Sequence, residues 1–377
     1  MSEPKKPWIL ILAGGAGTRF WPASRRDRPK HVLHGLGGDG KSLLQATVER
    51  VTPITKPERV FVVTSADQAD LVRQQLPQLP PRQVIVEPMP KNTGPAVSLG
   101  ILHLGLHGAT AHDPVLVLPA DAWVDDGDAF RQTLLRASAA CEQHKAIVTL
   151  GVTPTHAETG YGYIQLGDET VEVAGGGEQP VRSVARFVEK PDQAGAEQLV
   201  ADARNLWNAG IFAFRHGYLW WLLGDLSEEW DLALMMINAC LVDGDPEALA
   251  FEYDKFESIS LDHGVIEHAP SLLCVPLTSG WSDLGSWDAI ARVLAPVDAG
   301  VARAGDVVSK DASGNVVFAP GRTVALLGVE DLVVVATDDA VLVAPRSRAQ
   351  EVRELAAQAD PAPQAVVTEA PEAEEPA

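Results

Sequence analysis

The chain has 377 residues, 46% hydrophobic and 21% charged, enough to bury a large core with a smaller second unit beside it. Its 51 acidic residues against 30 basic ones give a formal charge of −21, which excludes the broad basic surface that nucleic-acid binding requires. Cys141, Cys240 and Cys274 are far apart and form no C-x-x-C pair, so neither a disulfide framework nor a zinc site is expected, and buried thiols in a reducing cytosol are.

Lys5 and Lys6 precede the apolar run "WILILA" (8–13), which is too short to span a membrane and reads as a buried strand. "RVFVVTS" (59–65), "QVIVEP" (83–88), "PVLVLPAD" (114–121) and "AIVTLGV" (146–152) read the same way. Between them, "SLLQATVERV", "ADQADLVRQQL", "GPAVSLGILHLGL" and "DAFRQTLLRASAACEQH" space their apolar residues by three and four, as helices do. This alternation predicts βαβ units and an α/β fold with a mostly parallel sheet. Beyond residue 150 the pattern is mixed and rich in aromatics. From about 301 to 345, "GNVVFA", "TVALLG", "LVVVAT" and "AVLVAP" predict short strands with turns and no helix. From Asp360 onward Pro, Ala and Glu dominate without a basic residue, which predicts a disordered acidic tail.

The stretch "LAGGAGTRFWPASRRDRPK" (12–30) sets Arg19, Arg25, Arg26, Arg28 and Lys30 directly after a glycine turn in an otherwise acidic chain. A glycine turn after the first strand exposes backbone N–H groups at the carboxyl edge of the sheet, where α/β folds bind ligands. Gly14, Gly15 and Gly17 carry no side chain, so a phosphate can approach closely. Arg19 offers a planar fork to phosphate oxygens and Lys30 a point charge. The dinucleotide pattern G-x-G-x-x-G fails, because Phe20 stands at its third glycine. A rival, "GLGGDGKS" (35–42), fits the P-loop pattern with Gly35, Gly40, Lys41 and Ser42, and would make the chain a P-loop kinase or NTPase. It follows "PKHVLH" rather than a buried strand, so the favoured reading is a surface turn with Ser42 as a helix N-cap.

The first stretch resembles the signature of the sugar-nucleotide pyrophosphorylases, more narrowly the mannose-1-phosphate guanylyltransferases. "EPMPKNTGPA" (87–96), "LPAD" (118–121), "ETGYGYI" (158–164), "FVEKPD" (187–192), "WNAGIFAF" (207–214), "GWSDLGSWDAI" (280–290) and "VEDLVVVATDDAVLVAPR" (329–346) continue the resemblance in order. It covers nearly the whole chain except the tail. His31 replaces the family's usual Gln, Ala122 its usual His, and "DHGVIEH" (262–268) its DYAVMEK. These departures bear on substrate preference rather than reaction class. Longer bacterial members add a cupin-type isomerase domain, which a chain of this length is not expected to hold.

The resemblance implies a Rossmann-like nucleotidyltransferase domain over 1–295 and a small β segment, left-handed β-helix-like, over 296–350. A helical remnant and the acidic tail would occupy 351–377. It implies transfer of GMP from GTP to mannose 1-phosphate with magnesium, releasing pyrophosphate. A pyrophosphorylase for another nucleotide or sugar 1-phosphate is the alternative. It also implies a cytoplasmic homodimer with no membrane partner. Both substrates are anions, so the protein must neutralise charge and align them, and no covalent nucleophile is needed. Leu12, Ala13, Gly14, Gly15, Gly17 and Thr18 are the expected nucleotide-binding run, with Arg19 and Lys30 on the triphosphate. Asp121 ends an apolar strand, well placed for a metal, although a helix N-cap would explain it too. Asp283 is by resemblance the second metal carboxylate; alone it would read as an Asx-turn residue. Glu189 and Asn208 would bind sugar hydroxyls, Lys190 the sugar phosphate, and Gly162 would let the sugar approach the backbone; a strand end and a turn are the plain alternatives. Glu87 is the candidate acceptor for the guanine N1 and N2 donors, with Asn92 and Thr93 beside it, unless Glu87 faces solvent. The tryptophans, Trp220 and Trp221 among them, are expected in the core or an interface.

Overall fold

The structure, a computed structural model, describes residues 5–15, 17–36, 40–293, 296–297 and 301–359, without the side chains of 296, 297 and 301–303. The tail expected from Asp360 onward and positions 37–39 of the P-loop-like stretch lie outside the described residues.

The first half alternates as expected: β1 (Trp8–Ala13), α1 (Leu43–Val51), β2 (Val60–Ser65), α2 (Ala69–Gln75), β3 (Val84–Glu87), α3 (Thr93–Leu106) and β4 (Pro114–Pro119). Short β5 (Trp123–Val124), α4 (Gly127–Gln143) and β6 (Ile147–Val152) follow. Next come β7 (Tyr163–Val171), β8 (Val181–Val188), α5 (Gln193–Ala201) and the long β9 (Asn205–Arg215). A helical layer, α6 (His216–Leu226), α7 (Glu228–Asp243), α8 (Pro246–Asp254) and α9 (Leu261–Gly264), leads to β10 (Leu272–Leu277), β11 (Trp281–Ser282) and α10 (Trp287–Val293).

Nine strands form one sheet in the order β3-β2-β1-β4-β9-β6-β10-β8-β7. β1 pairs in parallel with β2 and β4, β2 with β3, and β6 with β10, whereas β9 runs antiparallel to β4, β6 and β7, and β8 to β7 and β10. The central strands are buried on both faces, which is why they read as unbroken apolar runs. Their carboxyl ends, at Ala13, Ser65, Glu87 and Pro119, meet on one edge. Antiparallel β9 brings Asn208 to that edge, opposite Gly151 of β6.

The C-terminal sheet holds β12 (Pro296–Val297), β13 (Val301–Lys310), β14 (Val316–Leu327), β15 (Leu332–Ala336) and β16 (Val341–Pro345), followed by α11 (Val352–Ala359). Two of the expected short strands, "GNVVFA" and "TVALLG", are one strand, β14. Its register with β13 jumps at Gly305/Asp306, so Pro320–Arg322 bulge out. Gly305 at φ 125° is required there, since a Cβ would come within 2.4 Å of the Ala319 carbonyl oxygen. β13–β14–β15 pair in parallel, as in a β-helix. This unit shares a core with the signature stretch. Phe20 packs edge-on against Trp287 at 5.3 Å, and Trp287 against Phe318 at 5.4 Å. All three cysteines are buried and free. Trp220 packs beside the apolar core, whereas Trp221 is 44% exposed under the Lys145 ammonium.

Candidate active site

Two adjoining cavities open at the carboxyl edge. One, of ≈ 660 Å³, is walled by Leu12, Gly14, Gly15, Glu87, Asn92 and Thr93. The other, of ≈ 500 Å³, is lined by Gly17, Thr18, Arg19, Lys30, Glu189 and Lys190 together with Gly162, Asn208 and Asp283. Asp121, Gly210 and Asp262 line both. Of the residues that the resemblance assigns to substrate or metal binding, Ala13 alone lines neither. Strand alternation turns its side chain into the core, and its carbonyl accepts from Thr64 Oγ1 at 2.8 Å.

The glycine turn is held from beneath. Gly14 and Gly15 have open space where a Cβ would stand, leaving their backbone approachable. Gly17, at φ 62°, has a different reason: a Cβ there would lie 2.6 Å from Lys30 Cβ. The five basic residues divide their tasks, and Arg26 lines the first cavity. Arg25 pairs with Asp339 at 2.6 Å, tying the turn to the C-terminal sheet. Arg28 donates to the Ala23 and Pro22 carbonyls. Lys30 is buried, and its ammonium donates to Asp121 Oδ2 at 2.8 Å and to the Asp283 carbonyl oxygen. Arg19 is exposed, without an ion pair or hydrogen bond among the described residues. Much of the dense basic run is therefore engaged within the protein. Arg25 and Arg28 hold the protein together, and the charge of Lys30 is already paired with the Asp121 carboxylate.

Asp121 does not cap a helix; Asp126 caps α4. Asp283 is an Asx-turn residue as well as a wall of the site, since the Gly285 N–H donates to its Oδ1 at 2.8 Å. Burial pushes the Asp283 carboxyl above the usual range against the pull of Lys30, and Asp121 adds to the rise. The Lys30 ammonium thus bonds the carboxylate of Asp121 and the backbone of Asp283, and both charges are felt by the Asp283 carboxylate. Among the described residues no three His, Cys, Asp or Glu side chains converge on a metal position. Two carboxylates plus substrate phosphate oxygens are nevertheless the donor set that magnesium takes.

In the second cavity, Lys190 stands at φ 44° with its ammonium 2.7 Å from Glu189 Oε1. Gly162 is needed for Glu189: a Cβ would lie 2.6 Å from Glu189 Oε2. Asn208 is tied into the protein, Oδ1 accepting from Thr149 and Gly210, Nδ2 donating to Asp262 Oδ1 at 2.7 Å. Asp262, which sequence reasoning missed, has its carboxyl raised to about 6, first by burial and then by Glu189. The only signal for it was its place in "DHGVIEH", which departs from the family pattern.

Glu87 is buried, not solvent-facing. Its Oε2 accepts from the Tyr253 hydroxyl at 3.1 Å, and burial lifts its carboxyl to about 7. Asn92 caps α3 in a left-handed conformation at φ 72°. Thr93 accepts from the Leu261 N–H at 2.8 Å, fastening α3 to α9, which carries Asp262. His31 is buried with its Nε2 unpartnered, and burial lowers it to about 4. The P-loop-like stretch lies elsewhere. Ser42 and Gln45 form a capping box on α1, and Lys41 pairs with Glu49 at 2.5 Å, outside both cavities.

Comparisons with known proteins bear on the family and the fold. Residues 9–299 match the nucleotidyl transferase family model, and residues 305–358 the MannoseP isomerase/GMP-like beta-helix domain. The chain is 36% identical to the mannose-1-phosphate guanylyltransferase of Escherichia coli K12 over 94% of its length and 73% of that protein's. It is 38% identical to the xanthan biosynthesis protein XanB of Xanthomonas campestris over 93% of its length and 72% of the relative's. Among solved structures, mannose-1-phosphate geranyltransferase from Thermus thermophilus superposes with a TM-score of 0.82 at 36% identity, covering 94% of this chain and 99% of that one. Among the described residues no helix is long and apolar enough to cross a membrane. The chain belongs to the nucleotidyl transferase family and is an enzyme, a nucleotidyltransferase.

Proposed function

We propose that this chain transfers GMP from GTP to mannose 1-phosphate, releasing pyrophosphate and forming GDP-mannose. The observation that supports this best is the meeting of Asp121, Asp283 and Lys30 between a cavity that fits a nucleotide and one lined by Glu189 and Lys190. GTP would lie with its base toward Glu87 and its phosphates over Gly14, Gly15 and Gly17. The sugar phosphate would enter from the side of Lys190, and its oxygen would attack the α-phosphorus in line. Arg19 would hold the charge that grows on the departing pyrophosphate. Lys30 is already paired with Asp121, which limits what it can lend to the phosphates. Nucleotidyltransferases of this family generally use a divalent metal. Magnesium, held by Asp121 and Asp283, would withdraw charge from the phosphates.

Glu189 and Asp262 present acceptors for sugar hydroxyls, with Asn208 holding the Asp262 carboxylate in place. Guanine is favoured because its N1 and N2 donors match a carboxylate, whereas adenine would set a lone pair against it. We further read 1–295 as the catalytic unit, 296–350 as the β segment and 351–377 as a helical remnant with a tail, in a cytoplasmic homodimer. Pyrophosphate release across a panel of nucleoside triphosphates and sugar 1-phosphates tests the assignment. GTP with mannose 1-phosphate should give the highest kcat/KM, and a higher value for any other pair would replace it.

A further inference from the structure

Tyr161 forms the wall between the sugar-side cavity and a third one of ≈ 780 Å³ beside the C-terminal unit. Its ring is fixed edge-on against Trp207 at 5.2 Å and Trp281 at 5.8 Å. Its hydroxyl donates to Asp283 Oδ1, the oxygen that also receives the Gly285 N–H. The backbone after Asp283 is set around this arrangement. Leu284 is held at φ 46°, and a Cβ at Gly285 would lie 2.6 Å from Asp283 Oδ2. Two donors therefore occupy Oδ1, and Oδ2 is the oxygen outside these contacts.

Resting on the reading of Asp283 as a metal carboxylate, we propose that Tyr161 is a positioning residue. Its hydroxyl fixes the rotation of the Asp283 carboxylate, so that Oδ2 is presented with Asp121 to a divalent cation. The terminal torsion of an aspartate is soft and roughly two-fold, so a carboxylate held by one backbone N–H alone samples both faces. The tyrosine ring, wedged between two tryptophans, cannot follow that rotation and supplies the fixed second donor. Loss of an outer partner of this kind typically weakens metal affinity by about 10–100-fold.

The test is Tyr161→Phe in the full chain, which keeps the ring and removes the hydroxyl. Mn²⁺ binding to the enzyme with GTP is read from the relaxation of water protons, beside Tm and the metal dependence of turnover. The expected result is an Mn²⁺ affinity lower by about 10–100-fold, with Tm and the KM for GTP at saturating metal unchanged. Wild-type Mn²⁺ affinity in Tyr161→Phe, with affinity lost in Asp283→Asn, overturns the role of Tyr161 and leaves the metal reading standing. Wild-type affinity in both variants overturns the metal reading and the positioning role with it.

Discussion

Glu87→Gln removes one charge from the floor of the nucleotide-side cavity and keeps the side-chain shape. Burial raises the Glu87 carboxyl from 4.5 to about 7, so the folded protein holds this proton more tightly than the unfolded chain does. Stability from this group is therefore fully present below about pH 4.5, falls as pH rises to about 7, and stays lower above that. The shift corresponds to at most ~3 kcal/mol. At pH 8 the variant should melt at a higher temperature than the wild type, and the difference should close toward pH 5. Guanine recognition has the opposite sign, because the base donors need the ionised acid. Between pH 8 and pH 6 the ionised fraction drops from about nine-tenths to about one-tenth, so the wild-type KM for GTP should rise about tenfold more than the variant's. Comparing the two proteins at each pH cancels the titration of the nucleotide phosphates. At pH 8 the variant should also narrow the ratio of kcat/KM for GTP over ATP. Steady-state kinetics and calorimetric melts at the two pH values carry the test. Parallel KM profiles with an unchanged GTP/ATP ratio would refute base reading by Glu87, and parallel melting profiles would refute its buried proton.

Asp121→Asn and Asp283→Asn should each lower turnover by at least ~10²-fold with Tm retained; near-normal kcat in both at saturating magnesium would dismiss the pair. Arg19→Ala should cost ~2–4 kcal/mol of transition-state stabilisation, whereas Lys41→Ala, whose partner Glu49 sits on α1, should leave kcat/KM within about twofold. The reverse pattern would favour the P-loop-like stretch. Phe318→Ala should destabilise the chain by ~3–5 kcal/mol, measured by denaturant unfolding, because its ring fills the core shared with Trp287; a loss below ~1 kcal/mol would mean that this core is loosely packed.

The βαβ half was legible because β1 to β4 are buried on both faces and helices separate them. β9 was not, since "NLWNAGIFAFR" owes its place to three different neighbours rather than to its own pattern. The bulge in β14 depends on a partner strand, so two strands were expected where one exists. In the site, the ordered motifs pointed to residues that line the two cavities, but not to the contacts those residues make. Lys30 meets Asp121 and Asp283 across 91 and 253 positions, and the buried Glu87 receives the Tyr253 hydroxyl from 166 positions later. Tyr161 was hidden between two glycines that drew the attention to backbone.

The aromatic core of Phe20, Trp287 and Phe318 constrains how such enzymes can be recombined. Phe20 follows Arg19 directly, so the residue proposed to hold a phosphate and the residue that seats the β unit share one short turn. A chimera that takes its β unit from another family member would import a foreign surface against Phe20 and Arg25. The graft would need matching exchanges at both positions, and at Trp287, before its catalytic turn adopted the donor or the recipient geometry. Interchangeable parts in this fold are thus bounded by that shared turn rather than by the linker between the two units.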